Sequence, residues 1–490
     1  MSDLTLQIAA SGIEAEQAQL DTASNNLANI STPGYAREVV NQTDINAIGE
    51  SGAGDGVLIN SVSEDSSALY DQLNLAAQGQ LSQTNESVAI QNLAQNSFPI
   101  TTGTGLSSQL SSLWSAFSTL ATEPGSGAAQ QSVVQGASSV AGTLNSMSSQ
   151  LTSVSGQLQN DLGDIGTKGS VGTGYVGQAN QLITQIAQIN GQLAGLSAGG
   201  SSSGGLDANT LSDEQRNAAA TLAGLIGVKT TTEADGTMTV SSGGIQLVSG
   251  TVANEVQTTG FAGNATLAVE TTNGNVIPAG GTIGALLTGV NTTIPNYQSS
   301  LDSIADSLAT SLNSLQGGGV SAAGIPGASS AAAAPPYAGS VLPSIFVNGG
   351  SATTYTAGAG SAATITVNPT LAASPSLIAT AAGSATAGAA TIDPTTAQAM
   401  AKLGSSSNGP DDLYQTLVAL VGTQTAQAQD SQTSSQALAD STAAQQSSVE
   451  GVNTNEETVN MLAAQQNYQA LASVISSTTT ALQSLLTAVN

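Results

Sequence analysis

Side chains at both ends of this chain recur at alternating steps of three and four, and that spacing restricts what the ends can become. On the N-terminal side the series is Leu6, Ala9, Ile13, Glu16, Leu20, Ala23, Leu27 and Ile30, broken only by Glu16. Near the other end it is Met461, Ala464, Tyr468, Leu471, Ile475, Thr478, Leu482, Leu485 and Val489, again with one polar member. Each series is one stripe of an α-helix with the period of a coiled-coil seam. At about 1.5 Å of rise per residue, a helix from Leu4 to Ile30 is roughly 40 Å long, well beyond the few turns usual in a globular domain. Neither stripe can stay in water. The seams close on each other, parallel or antiparallel, or on other copies of the chain, and the spacing leaves these alternatives open. Built this way, the chain reads as a subunit of an assembly rather than a catalyst.

The N-terminal helix is predicted to stop at Ser31-Thr32-Pro33-Gly34-Tyr35. Pro33 disfavours the α region for Thr32, and Gly34 permits a positive φ. Just before lies Ser24-Asn25-Asn26-Leu27-Ala28-Asn29. Asparagine is a weak helix former rich in amide hydrogen-bonding capacity, so Asn25, Asn26 and Asn29 point to contacts beyond the helix itself. Glu456 and Glu457 sit near the start of the C-terminal seam. There the positive end of a helix dipole favours carboxylates by about 0.3–1 kcal/mol.

Between the ends the period changes twice. Val133, Ala137, Val140, Leu144, Met147, Leu151, Val154, Leu158, Asp161 and Ile165 keep the three-four alternation, and Leu182, Ile186, Ile189, Leu193 and Leu196 resume it after a glycine-rich break. These predict two long packed helices. From Val228 alternation by two takes over, through Thr230 and Thr232 to an Asp235-Gly236 turn followed by Met238 and Val240. The same pattern in Leu267, Val269 and Thr271 runs up to Asn273-Gly274, and both read as hairpins. A helix through Tyr297, Leu301, Ile304, Leu308 and Leu315 interrupts the strands, and the Gly/Ala/Ser/Pro stretch from Gly317 to about Ser340 reads as a surface loop. Strand alternation returns at Ile365 and Val367; helix resumes from Ala397 to Leu403 and again from Asp411. The expected fold is α+β: a terminal α-helical coiled-coil layer, a second long-helix bundle layer, and an inserted β-rich middle domain. The expected parts are 1–60 with 430–490, 61–210 with 395–429, and 211–394 with a helical segment near 283–315.

Composition excludes several functions. The chain holds 5 Lys+Arg against 32 Asp+Glu, a formal net charge of −27, which argues against nucleic acid and anionic membrane surfaces. Hydrophobic residues make up 40% and charged residues 8%, the balance of a core-forming chain with an uncharged polar surface. With 490 residues it is long enough for about three domains. Without His or Cys, the usual serine and cysteine hydrolase machinery and zinc ligand sets are missing. Gly172-Thr173-Gly174-Tyr175-Val176-Gly177 matches a dinucleotide fingerprint in letters, yet no apolar strand precedes it and no acid follows about twenty residues on. The acidic pairs Glu64-Asp65, Asp213-Glu214, Asp411-Asp412 and Glu456-Glu457 are sequence neighbours whose side chains diverge on a helix, which suits a solvated face better than paired acid-base work. No catalytic, cofactor or metal residue is therefore assigned. Met1-Ser2-Asp3-Leu4 carries no basic residue before Arg37, so no Sec-type signal peptide is expected, and no stretch has the length of a membrane span.

Ser11-Gly12-Ile13, Gln17, Leu20, Ser24 to Asn29, Thr32-Pro33-Gly34-Tyr35 and Arg37 together resemble the N-terminal signature of the bacterial flagellar rod, hook and hook-associated proteins. Val452-Asn453-Thr454-Asn455-Glu456-Glu457 and Gln465-Gln466-Asn467-Tyr468-Gln469-Ala470 are similar to the family's closing signature. The middle resembles the members at the hook-filament junction. It does so through Leu211 to Arg216, Leu225-Ile226-Gly227-Val228, Asp235-Gly236-Thr237, Gly243 to Val248, Gly284 to Leu287 before Tyr297-Gln298, and Ile365 to Pro369. One departure is Ser61-Val62-Ser63-Glu64-Asp65, where the family usually carries arginines.

The resemblance implies a non-enzymatic structural subunit joining hook to filament. Its self-assembly residues would be Leu6, Ile13, Leu20, Asn25, Asn26, Leu27, Asn29, Thr32, Pro33, Gly34 and Tyr35 at one end. At the other they would be Val452, Asn453, Glu456, Glu457, Met461, Tyr468, Leu471, Ile475, Leu482 and Leu485. The implied partners are other copies in a ring or helical assembly, hook protein, hook-associated protein 3 and an export chaperone. The implied location is the extracellular flagellum, reached by the flagellar type III route. Rival readings are another axial protein such as hook protein, or a secreted adhesin or surface-layer subunit.

Overall fold

The computed structural model describes residues 2–32, 34–45, 56–98, 105–163, 174–199, 205–260, 266–321, 342–349, 353–382 and 393–489. In chain order, helix α1 (Ser2–Ala28) leads into an antiparallel hairpin of β1 (Glu38–Asp44) and β2 (Val57–Glu64). Five helices follow: α2 (Ala68–Asn96), α3 (Leu106–Thr122), α4 (Gly127–Leu162), α5 (Gly174–Gly199) and α6 (Gly205–Ile226). Next comes a four-stranded antiparallel meander of β3 (Lys229–Thr232), β4 (Met238–Ser242), β5 (Ile245–Ser249) and β6 (Val252–Ala253). A three-stranded sheet of β7 (Val256–Thr259), β8 (Ala268–Thr271) and β9 (Val276–Ile277) comes after it. Helix α7 (Gly281–Thr288) continues through a π-helical turn at Gly289–Thr293 into α8 (Ile294–Gly318). Then come β10 (Gly319–Ser321), β11 (Phe346–Val347), α9 (Ser361–Thr364), β12 (Thr366–Val367), α10 (Pro369–Ala373) and β13 (Ala379–Ala382), with β10 paired to β13 and β11 to β12. Helices α11 (Thr395–Ala401), α12 (Pro410–Glu450) and α13 (Thr454–Val489) complete the order.

The chain is α+β and folds as two compact units, each drawn from separated stretches. One comprises Met1–Asn85, Leu162–Ala285 and Gln432–Asn490; the other comprises Glu86–Asp161 and Leu286–Ser431. These cuts fall at other positions than the three-part division at 60, 210 and 394.

In the second unit most of the predicted stripe of α4 is buried: Val133, Ala137, Val140, Leu144, Met147, Leu151 and Leu158 are buried, Val154 and Asp161 are half-buried, and Ile165 lies outside the described residues. Helix α3 contributes Leu106, Leu110, Leu113, Phe117 and Leu120 at helical spacing, and α8 contributes Leu301, Ile304, Leu308 and Leu312. Two aromatic polar groups here are partnered: Trp114 Nε1 donates to Asp411 Oδ2 at 2.7 Å, and Tyr297 OH donates to Gln91 Oε1 at 2.7 Å. Asp411 is therefore used inside the fold, at the start of α12.

In the first unit α5 packs on α6; Ile183, Ile186, Ile189 and Leu193 are buried on α5, and Ala218, Ala219, Leu222 and Ile226 on α6. The expected leading residue, Leu182, is only half-buried, and Ile183 holds the centre of the face. The predicted hairpin at Asp235-Gly236 forms: Thr230 pairs with Val240, Gly236 has φ +82°, and Asp235 Oδ1 accepts from Thr237 N at 3.0 Å. Asn190, fully buried on α5, donates to Met238 O at 2.8 Å and accepts from Met238 N at 2.8 Å, so its amide serves as a ladder partner for β4.

Two features were not anticipated. Residues 211–226 belong to helix α6 rather than to a β-rich part, and residues 38–44 and 57–64 pair as strands that no alternation announced.

Candidate functional site

Helices α1 and α13 lie against one another in the first unit. Leu471 covers Gly12, where an added Cβ would stand 3.0 Å from Leu471 Cδ1, and Asn467 Nδ2 donates to Glu16 Oε1 at 3.1 Å. Four residues forward along α1 therefore correspond to four residues back along α13, which makes the pair antiparallel. Of the three alternatives left open by the spacing, the structure adopts antiparallel closure within one chain.

That closure is partial. Ala9, Ala23 and Ala464 are buried; Leu6, Ile13, Leu20, Leu27, Met461, Leu471, Ile475 and Leu482 are half-buried. Ile30, Tyr468 and Leu485 are 43%, 38% and 65% exposed. Carried along the same register, Ser2 stands opposite Ala481, so Leu485 and Leu486 project beyond α1. Val459 and Leu462 are also exposed on α13, leaving a long helix with a row of apolar side chains in water.

The other face of α1 holds the hairpin. Asn26, 1% exposed, donates from Nδ2 to Glu38 O at 2.9 Å and accepts at Oδ1 from Glu38 N at 2.8 Å, standing in for a third strand beside β1. Tyr35 OH donates to the same Oδ1 at 2.8 Å. Asn25 Nδ2 donates to Glu38 Oε2 at 2.9 Å, Asn29 Nδ2 donates to Asn25 Oδ1 at 2.9 Å, and Thr32 OH donates to Asn29 Oδ1 at 3.2 Å. Gly34 has φ +79°, and a Cβ there would lie 2.4 Å from Asn217 Oδ1, so glycine is required on two counts. Pro33 lies outside the described residues. The asparagine motif thus makes its contacts inside the subunit, fixing the chain that leaves α1.

Arg37 joins that chain to the other end. Its Nε donates to Glu457 Oε1 at 2.7 Å, its Nη2 lies 3.1 Å from Glu456 Oε1, and its backbone N donates to Glu450 O at 2.9 Å. Glu457 is buried and Glu456 exposed, both in the first turn of α13. Asn453 caps that turn, its Oδ1 accepting from Asn455 N at 3.0 Å, and Val452 precedes it half-buried. The sequence reading placed the acid pair at a helix dipole but did not find Arg37 as its partner. The available signal was one of only 5 basic residues falling directly after the first motif.

Beneath this joint carboxylates outnumber cations. Glu38 and Glu64 are opposite residues of the β1–β2 ladder. Arg216 of α6 pairs with Glu64 Oε2 at 2.5 Å and with Asp213. Burial lifts Glu64 to about 7, offset in part by Arg216 and reinforced by Asp213 and Glu38. Asp71 of α2 is lifted to about 6, by burial and then by Glu450. Burial raises Asp213 as well. A cavity of about 590 Å³ opens here, lined by Ile30, Tyr35, Asp71, Met238, Glu450 and Val452 among others. The departure at Ser61 to Asp65 thus places an acidic side chain at the end of β2 against Arg216 of α6.

Gly174 to Gly177 occupy the first turn of α5, while Gly172 and Thr173 lie outside the described residues. No group of three His, Cys, Asp or Glu side chains among the described residues is arranged to hold a metal ion. No described helix is long and apolar enough to cross a membrane.

Three family models match separate stretches. Flagella basal body rod protein matches residues 6–35, the FlgK helical domain of flagellar hook-associated protein matches 92–329, and the C-terminal domain of flagellar basal body rod FlgEFG protein matches 445–488. The two rod-type matches fall on the ends that join as one helix pair, and the helical-domain match falls between them. The longest of the three matches is to the helical domain of flagellar hook-associated protein FlgK. Flagellar hook-associated protein 1 of Escherichia coli K12 is 26% identical over 328 residues, covering 64% of this chain. Its Salmonella typhimurium counterpart is 25% identical over 332 residues, also covering 64%. Each match spans 57% of the relative's own length. The fold is shared with the flagellar hook junction protein FlgK of Burkholderia pseudomallei, with a TM-score of 0.60 at 17% identity over 77% of this chain and 100% of that one.

Proposed function

We propose that the protein is a structural subunit of the hook-filament junction, assembled through its paired terminal helices and without catalytic activity of its own. The observation that carries this reading is the incompletely covered α1–α13 pair. A helix pair closed within one chain would ordinarily bury both seams, whereas here Leu462, Leu485 and Leu486 remain in water. Neighbouring copies in a ring or helical array would cover them by heterologous contacts, one patch meeting a different one. The finer partners are hook protein on one side, hook-associated protein 3 on the other, and an export chaperone that shields α13 before assembly. The type III route to the extracellular flagellum belongs to the same proposal.

Deleting residues 1–30 in the producing bacterium tests it. The expected result is a hook without an attached filament, with unpolymerised filament protein in the medium. Normal filaments in that strain would sink the proposal. Undiminished surface display of the deleted protein, with cell adhesion retained, would favour an adhesin.

A further inference from the structure

Glu38 and Glu64 face each other across the first pair of the β1–β2 ladder, a placement in which like charges repel. Glu38 is well supplied with donors: Asn25 Nδ2 reaches Oε2 and Asn209 Nδ2 reaches Oε1, each at 2.9 Å. Glu64 is not. Its Oε2 takes the Arg216 guanidinium, while its Oε1 is buried with no hydrogen-bond partner, on a side chain only 8% exposed. A bare carboxylate oxygen in that setting is a costly charge, and Arg216 already serves Asp213.

We propose that Glu64 is a proton-binding latch: the hairpin grips α6 when the Glu64 carboxyl is neutral and loosens when it is charged. The ionisable groups around it come from every neighbouring element. Arg216 and Asp213 on α6, Glu38 on β1 and Tyr35 ahead of β1 act on it directly; Asp71 on α2, beside Glu450 on α12, acts on Arg216, and Arg37 stands by Asp65 after β2 and by Glu456 and Glu457 on α13. Arg37 is taken by the α13 acids, so within this set only Arg216 offsets the Glu38–Glu64–Asp213 group. A proton removes the repulsion without moving a side chain.

The sign follows from burial. Glu64 titrates near 4.5 when unfolded and at about 7 when folded, so folding takes up a proton between those values. The stabilisation is complete below the unfolded value and is lost as pH rises through about 7. A single proton changes the folding equilibrium by up to about tenfold per pH unit in that window.

The test is thermal unfolding of the full chain from about pH 8 to about pH 5, with a side-chain carboxyl NMR titration of glutamate-labelled protein. The midpoint should rise as pH falls through 7, and one glutamate should titrate near 7. Glu64→Gln should remove the upper part of the slope and that resonance, while Glu14→Gln, on the exposed surface of α1, should leave both intact. If every glutamate of the unmodified chain titrates below about 5.5, the proposal is overturned; this readout needs no variant to fold. An unchanged slope in Glu64→Gln overturns it too. Calcium at millimolar concentration should leave the midpoint at pH 8 unchanged. A calcium-induced rise would assign the site to a cation instead.

Discussion

Arg37 and Glu457 stand 420 positions apart in the chain and meet at 2.7 Å. The carboxylate is buried and the guanidinium about one-fifth exposed, so this pair is shielded from the screening that weakens surface ion pairs. Removing one partner strands the other's charge. Arg37→Met should cost about 2–4 kcal/mol in urea unfolding, and the double change with Glu457→Gln should recover part of that loss. Equal loss in the single and double variants would mean the pair contributes no coupling.

Two glycines of the N-terminal signature should behave oppositely. At Gly12 the obstacle is the flexible end of Leu471 at 3.0 Å, and alanine favours a helix, so Gly12→Ala should fall within about 1 kcal/mol of the parent. At Gly34 both φ +79° and the Asn217 amide at 2.4 Å oppose a side chain, and Gly34→Ala should lose about 2 kcal/mol or more. Unfolding midpoints of the two variants decide this.

Asn26 replaces a strand for β1, a role that needs both a donor and an acceptor. Asn26→Asp keeps the size and loses the donor to Glu38 O; Asn26→Leu loses both. Losses of about 1–3 kcal/mol and more are expected in that order, with amide exchange at Glu38 accelerated in each. Unaltered exchange at Glu38 would refute the strand-mimic role.

Asp71 gives a second pH signature. Burial and Glu450 lift its carboxyl to about 6, so the stability it lends is present below its unfolded value near 3.8 and fades as pH rises through 6. Asp71→Asn should therefore raise the thermal midpoint at pH 8 and leave it unchanged near pH 3.5.

Association should follow charge. Asp430, Asp440, Glu450, Glu456 and Glu457 are the acids towards the C-terminal end, and Asp3, Glu14, Glu16 and Asp21 precede Arg37. Neighbouring helices of different copies repel, and added salt or mild acid should promote association of the purified protein. Light scattering across a salt series reads this out. Replacing both Leu485 and Leu486 by serine should suppress the association.

The long stripes were legible because helical burial repeats in sequence. Val133 to Leu158 spells the buried face of α4 directly, and Asp235-Gly236 and Asn273-Gly274 announce their turns through the φ values they require. The β1–β2 hairpin was hidden for the opposite reason. Five of the seven residues of β1 are exposed, so no apolar alternation marks it, and its buried residue is the carboxylate Glu38. Asn25, Asn26 and Asn29 announced contacts outside their helix, but spacing cannot say that Glu38 receives two of them. Helix α6 falls inside the expected β-rich part because ahead of Leu222, Leu225 and Ile226 it buries only Gln215, Ala218 and Ala219 among the described side chains, a weak apolar signal. The Arg216–Glu64 pair is non-local, and only the fold brings it together.

The joint between the first motif and the start of α13 closes a loop of hundreds of residues, and closure entropy grows only with the logarithm of length. Doubling the intervening stretch would cost roughly 0.6 kcal/mol at that joint. The stretch between the termini can be enlarged, trimmed or exchanged by an engineer while the joined ends hardly register the change.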